Sequence, residues 1–378
     1  MFAGDGKGLG LATVKVMKMC LDTLAEVHES DHTQRCKLLS WHSWSGFMST
    51  EVHGLDFDWD GIYGEGGSHL AELTHHYDYD RMHLVNRKWS GYDLTLGCPG
   101  WASAPLSHWG DLAAANAAFD RMLPFAFRCL EDCVPTDLQE SFYFHSVWPF
   151  WLYTMGRKDD ARALLHAKPF DDDLGQLSDW LCEHWPQLYG PKKDGHIAAS
   201  EDFLMHSQFL DVLLAKATPP ASAVTGLPEP HEVAMLGVTL PWGSVCNLDS
   251  FVTMVPAMLA HERVGSDEGA LAFVKIILEA ELPKGGTVCK RQHSFAHACR
   301  GRILAAQGNA DEAEAAFESA AEAAEAGGCH FFTAIWLRDL CKHVLDGAGR
   351  GEEGRKRLEE AVSRLACSVE DLDAIVYP

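Results

Sequence analysis

The stretch that decides the fold is Gly301–Glu325, "GRILAAQGNADEAEAAFESAAEAAE". Leu304 precedes Gly308, and Ala313, Phe317 and Ala320 follow it at the three- and four-residue steps of one helix face. That pattern predicts two antiparallel helices joined at a glycine. Gly301 and Ala313 carry almost no side chain, so the two backbones can approach closely, while Phe317 fills the space between hairpins. Gly308 supplies the left-handed conformation that stops the first helix. Asn309 is placed to cap the second, with Glu312 three residues on in capping-box register.

The same frame recurs along the chain. "LSHWGDLAAANAAFDRM" contains Gly110, Ala115 and Phe119, and "LYTMGRKDDARALLHAK" contains Gly156, Ala161 and Leu165. "LAHERVGSDEGALAFVKI" contains Gly265, Ala270 and Val274, and "VLDGAGRGEEGRKRLEEAV" contains Gly349, Gly354 and Leu358. In all five copies a small residue follows the turn glycine by five positions and a large apolar one by nine. Gly110 and Gly156 lie 46 residues apart, Gly265 and Gly308 43, and Gly308 and Gly349 41. These intervals exceed the period of about 34 typical of such hairpins and call for longer helices or connections.

The Gly301 unit is spaced like a tetratricopeptide repeat. The segment Ser68–Met122, with its Tyr77-Asp78 pair and its Gly91-Tyr92-Asp93 opening, resembles the tetratricopeptide-like α-solenoids found beside nucleotidyl cyclase domains and in large ATPase regulators. The resemblance covers roughly residues 68–165 and 251–376 and implies an all-α fold, a right-handed α-α superhelix of degenerate tetratricopeptide-like hairpins. It also implies a groove lined by first-helix residues thirteen, ten, six and three positions before each turn glycine. Among those, Tyr143, Phe150 and Tyr153, Phe295 and Arg302, and Trp336, Asp339 and His343 are the expected partner-binding residues. Packing between helices is the competing use for the same aromatics.

Four segments follow: residues 1–67 with N-terminal helices and an acidic, glycine-rich loop, a first helical-repeat half over 68–218, a proline-rich connection at 219–240, and a second helical-repeat half over 241–378 with the clearest repeat units. A helix resuming before Pro256 is expected to bend there. The net charge of −23 should repel phosphate backbones and anionic membrane surfaces, which excludes nucleic acid and favours a basic or apolar protein or peptide partner. No apolar run has the length of a membrane span, so no membrane insertion is expected. Twelve cysteines without a CxxC pair suit neither a zinc knuckle nor a disulfide framework and point to the cytoplasm or another reducing compartment.

Chemistry-bearing patterns are sparse. "DFDWDGIYGEGG" (Asp56–Gly67) places Asp56, Asp58 and Asp60 at alternate positions before Gly61, as a calcium loop does, but Gly67 stands where the bidentate glutamate belongs. A solvated acidic connection is the competing reading, and no cofactor beyond this calcium is expected. His69, Glu72 and His76 share a helix face and have the donor types of a transition-metal site, without an evident further ligand. "GDGKGLG" lacks the spacing of a phosphate-binding loop, and no serine sits in a GxSxG elbow, so no catalytic residue is assigned. Eight tryptophans fall within the first 151 residues. A non-catalytic scaffold or adaptor is the leading expectation, and the alternative is a helical-toroid enzyme or small-molecule-binding protein with a Trp- and His-rich pocket in the N-terminal half.

Overall fold

A computed structural model describes residues 67–90, 109–131, 147–167, 208–230, 247–279 and 290–378, together with Met19, Leu39, Asp93, Leu96, Gly97, Phe144 and Val233. All regular structure among them is helical. The elements are α1 (Ser68–His76), α2 (Tyr79–Ser90), α3 (Leu112–Glu131), α4 (Trp148–Thr154), α5 (Lys158–His166), α6 (Asn247–Arg263), α7 (Asp267–Glu279), α8 (Lys290–Ala306), α9 (Ala310–Ala326), α10 (His330–Leu340), α11 (Gly351–Val362) and α12 (Val369–Asp373). A π-helical turn, Cys341–Leu345, continues α10.

The turn glycines explain the hairpins. Gly110, Gly156, Gly265, Gly308 and Gly349 all take positive φ, from 61° to 81°. Four of them close a described helix with the same pair of bonds. At Gly308 the glycine amide donates to Ala305 O (3.0 Å) and the next amide, Asn309, donates to Leu304 O (3.0 Å). Gly156, Gly265 and Gly349 repeat both bonds. This Schellman arrangement satisfies terminal carbonyls and requires a left-handed residue at its centre. Asn309 occupies the N-cap of α9, but its side chain makes no capping bond, which corrects the expected capping box. The box is found instead at α12, where Ser368 and Asp371 exchange side-chain to backbone bonds.

The positions five and nine residues beyond each turn are core. Ala115, Ala161, Ala270 and Ala313 are buried, as are Phe119, Leu165, Val274, Phe317 and Leu358. A Cβ placed on Gly301 would meet the Phe317 ring at 3.0 Å, so the close approach of α8 and α9 depends on glycine. Gly354 plays the same part where α11 crosses the π-turn, because a Cβ there would stand 2.5 Å from Cys341 Sγ.

The described residues fall into two units. The first takes those of Met1–Arg128 and Thr287–Ile375, the second those of Cys129–Gly286 and Val376–Pro378. In the first, α9 is stitched to α11 and its flanks by a ladder of ion pairs from arginines spaced seven residues apart: Arg350 to Glu314 (2.8 Å), Arg357 to Glu318 (3.1 Å) and Arg364 to Glu325 (2.7 Å). In the second, α4 pairs with α5 and α6 with α7 across their glycine turns, and α6 runs through Pro256 without ending there. The start of the proline-rich connection is a single 3₁₀ turn, Ala221–Val224.

Candidate functional site

Of the groove positions inferred for the hairpin α8/α9 and for α10, Phe295, Arg302, Trp336 and Asp339 lie in the interior of the first unit. Phe295 and Trp336 are 0% exposed and meet edge to face at 4.8 Å, with Phe332 against both. Arg302, also buried, reaches Asp339 at 3.3 Å and lies 5.9 Å from the Trp336 ring. Asp339 receives a second guanidinium: Arg338 Nη2 donates to its Oδ1 at 2.6 Å and Nε at 3.1 Å. Arg338 also donates through Nη1 to the carbonyls of Leu372 and Ile375, which holds α12 and the chain after it against α10. His343 is exposed, yet its ring stacks on Phe317 (6.0 Å, 12°), and partial desolvation lowers its pKa.

In the second unit Phe150 and Tyr153 are buried on α4 and stack at 6.4 Å. Tyr153 has residues 376–377 of the same chain as neighbours. Tyr377 lies 5.9 Å from it ring to ring and donates its hydroxyl to Thr154 O (2.9 Å), while Lys158 Nζ donates to Val376 O (2.9 Å) and stands 5.3 Å from the Tyr153 ring. Burial lowers the Lys158 pKa, and Arg263 and Arg162 lower it further. Tyr143, and the loop residues Asp56, Asp58 and Asp60, lie outside the described residues.

A polar knot that sequence reasoning did not single out sits in the first unit. Asp93 is 1% exposed and accepts from Tyr77 Oη (2.6 Å), Asn86 Nδ2 (2.8 Å) and the Leu96 amide (3.2 Å), with His83 Nδ1 3.1 Å from its second oxygen. Tyr79 stacks on His83 at 4.5 Å and carries Arg128 on its ring at 4.6 Å. The signal was present in the three Tyr-Asp pairs of this segment, Tyr77-Asp78, Tyr79-Asp80 and Tyr92-Asp93: the tyrosine of the first bonds the aspartate of the last. Such a fully bonded carboxyl locks α2 and the chain beyond it into one arrangement.

Beside it, α1 and α3 enclose a cleft of about 440 Å³ lined by Ala71, Thr74, Trp109, Ala115, Ala118 and Arg121. Arg121 Nη1 approaches His75 Nδ1 at 2.6 Å on its rim. His69, Glu72 and His76 are on α1, but among the described residues no group of three or more His, Cys, Asp or Glu side chains is assembled to hold a metal ion. No described helix is long and apolar enough to cross a membrane.

Comparison with protein families, with curated proteins and with solved structures returns no match for this chain.

Proposed function

We propose that this chain is a non-catalytic, tetratricopeptide-like helical scaffold that binds a protein segment. The observation that carries the reading is the repeated turn: four helices end in the same two-bond arrangement around a positive-φ glycine, with small and large apolar residues at fixed distances beyond it. Repetition of one hairpin unit is the mark of a stacked-repeat architecture, in which each unit buries its neighbours and presents surface to a partner. The net charge of −23 favours partners that are basic or apolar. The test is recovery of one protein from native extract at low and moderate salt, followed by a stoichiometric complex of the two purified chains. Failure to form that complex with the folded protein refutes the reading.

A second reading, small-molecule binding in the N-terminal half, draws on the cleft between α1 and α3. Its volume falls in the range of ligand sites, and Trp109, His75 and Arg121 give it aromatic and polar lining. A metabolite that raises the melting temperature of the unaltered chain but not of Arg121→Ala would favour it.

A further inference from the structure

We propose that the slot holding Tyr377 is a recognition site for a tyrosine carried on an irregular, non-helical peptide segment, and that Val376–Tyr377 is the intramolecular copy of what a partner presents. The inference deepens the scaffold reading and rests on it. Its basis is how residues 376 and 377 are held. Tyr377 is 6% exposed, whereas Val376, the residue before it, is 48% exposed. The slot therefore takes the ring and ignores the preceding side chain. It reads that residue's backbone instead, through Lys158 Nζ on Val376 O.

The bottom of the slot selects tyrosine. The acceptor of the hydroxyl is Thr154 O, in the last turn of α4, where an α-helix has no amide of its own to offer its carbonyls. A phenylalanine would fill the same space and leave that buried carbonyl without the donor the tyrosine supplies, and a site built around a buried acceptor discriminates strongly against a ligand lacking the donor. Tyr153 forms the wall, and Lys158 touches both wall and ligand backbone. Thus one side chain of α5 and one carbonyl of α4, both set by the Gly156 turn, define the site. A tethered occupant has an effective concentration in the millimolar range, so free ligand enters only when residues 376–378 leave the slot.

The probe is an acetylated, amidated peptide, Ala-Ile-Val-Tyr-Pro, matching residues 374–378, with its Tyr→Phe counterpart, titrated by NMR or by fluorescence of a labelled peptide. The chain lacking residues 376–378 is expected to bind the tyrosine peptide about tenfold more tightly than the phenylalanine peptide, the ratio that one hydrogen bond of about 1.4 kcal/mol gives. The unaltered chain should bind the tyrosine peptide at least tenfold more weakly than the shortened one, and Lys158→Met in the shortened chain should weaken it again. If the shortened chain does not fold, Tyr377→Phe in the full chain replaces it: the tyrosine peptide should then bind more tightly than to the unaltered chain. Equal binding of both peptides, or none to a folded shortened or Tyr377→Phe chain, overturns the proposal. A protein partner still captured by such a chain would leave the scaffold reading standing while this one fell.

Discussion

Asp339→Asn is the most informative single substitution in the first unit. The carboxylate is buried between two guanidiniums, at 3.3 Å from Arg302 and 2.6 Å from Arg338. The amide keeps the shape, so no cavity forms; what changes is that two buried cations lose the anion they share. Removing one partner of a buried ion pair costs about 3–5 kcal/mol, because the charge left behind is desolvated without compensation. In a unit of this size about 2–4 °C of melting temperature accompanies each kcal/mol, so a fall of about 6–20 °C is expected in a thermal melt followed by circular dichroism. Arg302→Met should cost much less, about 1 kcal/mol, since it leaves the closer Arg338–Asp339 pair neutral and intact. Arg338→Met should be intermediate and should also loosen residues 369–375, where it holds the carbonyls of Leu372 and Ile375, visible as faster amide exchange there. A change below 2 °C for Asp339→Asn would refute the reasoning, because it would mean that water or a rearranged side chain already compensates both arginines.

Turn, cap and charge each give a further expected outcome. Gly308→Ala, with open space around its Cβ but φ of +81°, should cost about 1–2 kcal/mol from backbone strain, and Gly308→Asn should recover much of it; Gly354→Ala should cost about 1–3 kcal/mol by overpacking against Cys341 and Leu345, offset in part by about 0.5–1 kcal/mol of helix propensity, and chemical denaturation measures both. Ser368→Ala, which removes the hydroxyl side of the α12 capping box, should cost about 1 kcal/mol and increase exchange of the Asp371 amide. On acidification, stability should fall in two windows. The lowered pKa values of His297 and His343, set first by partial loss of hydration, mean that the unfolded chain takes up protons before the folded one as pH drops below 6.5. Glu325, held at about 2 by Arg364 and His330 against an ordinary 4.5, contributes stability above pH 4.5 that is lost as pH falls toward 2; its pair with Arg364 is partly exposed, so the loss should stay below about 1 kcal/mol. A melting temperature flat from pH 7 to pH 3 would contradict both assignments.

The hairpin turns were legible because their chemistry is local. A glycine at the left-handed position, a small residue five on and a large apolar residue nine on are demands that one turn and two helices make of their own residues, and all five copies meet them in the structure. Asn309 shows where local reasoning stops: the cap residue is in place, but its neighbours do not direct its side chain to the backbone. The Asp93 knot was harder to see, since Tyr77 and Asp93 are sixteen residues apart and the meaning of each pair appears only when α2 folds back. Whether Phe295 and Trp336 face a groove or a neighbouring helix depends on how tightly successive hairpins wind. That is set by long-range packing of Phe332, Phe295 and Trp336 on one another, which no repeat spacing encodes.

Burial of these positions also changes how a scaffold must be probed. Trp336→Ala would abolish partner binding in an assay whether or not the residue touches the partner, because truncating a fully buried aromatic costs about 3–5 kcal/mol. Loss of binding there reports loss of structure. Side chains that reach solvent while the fold stays intact separate the two effects: Arg121 on the cleft rim, Lys158 at the tyrosine slot and the arginines of the α9–α11 ladder, each carrying at most a surface ion pair's worth of stability. Partner binding that responds to one of these sets, at unchanged melting temperature, locates the interface on that unit. Binding indifferent to all three while Trp336→Ala destroys it would show only that the repeat must be folded.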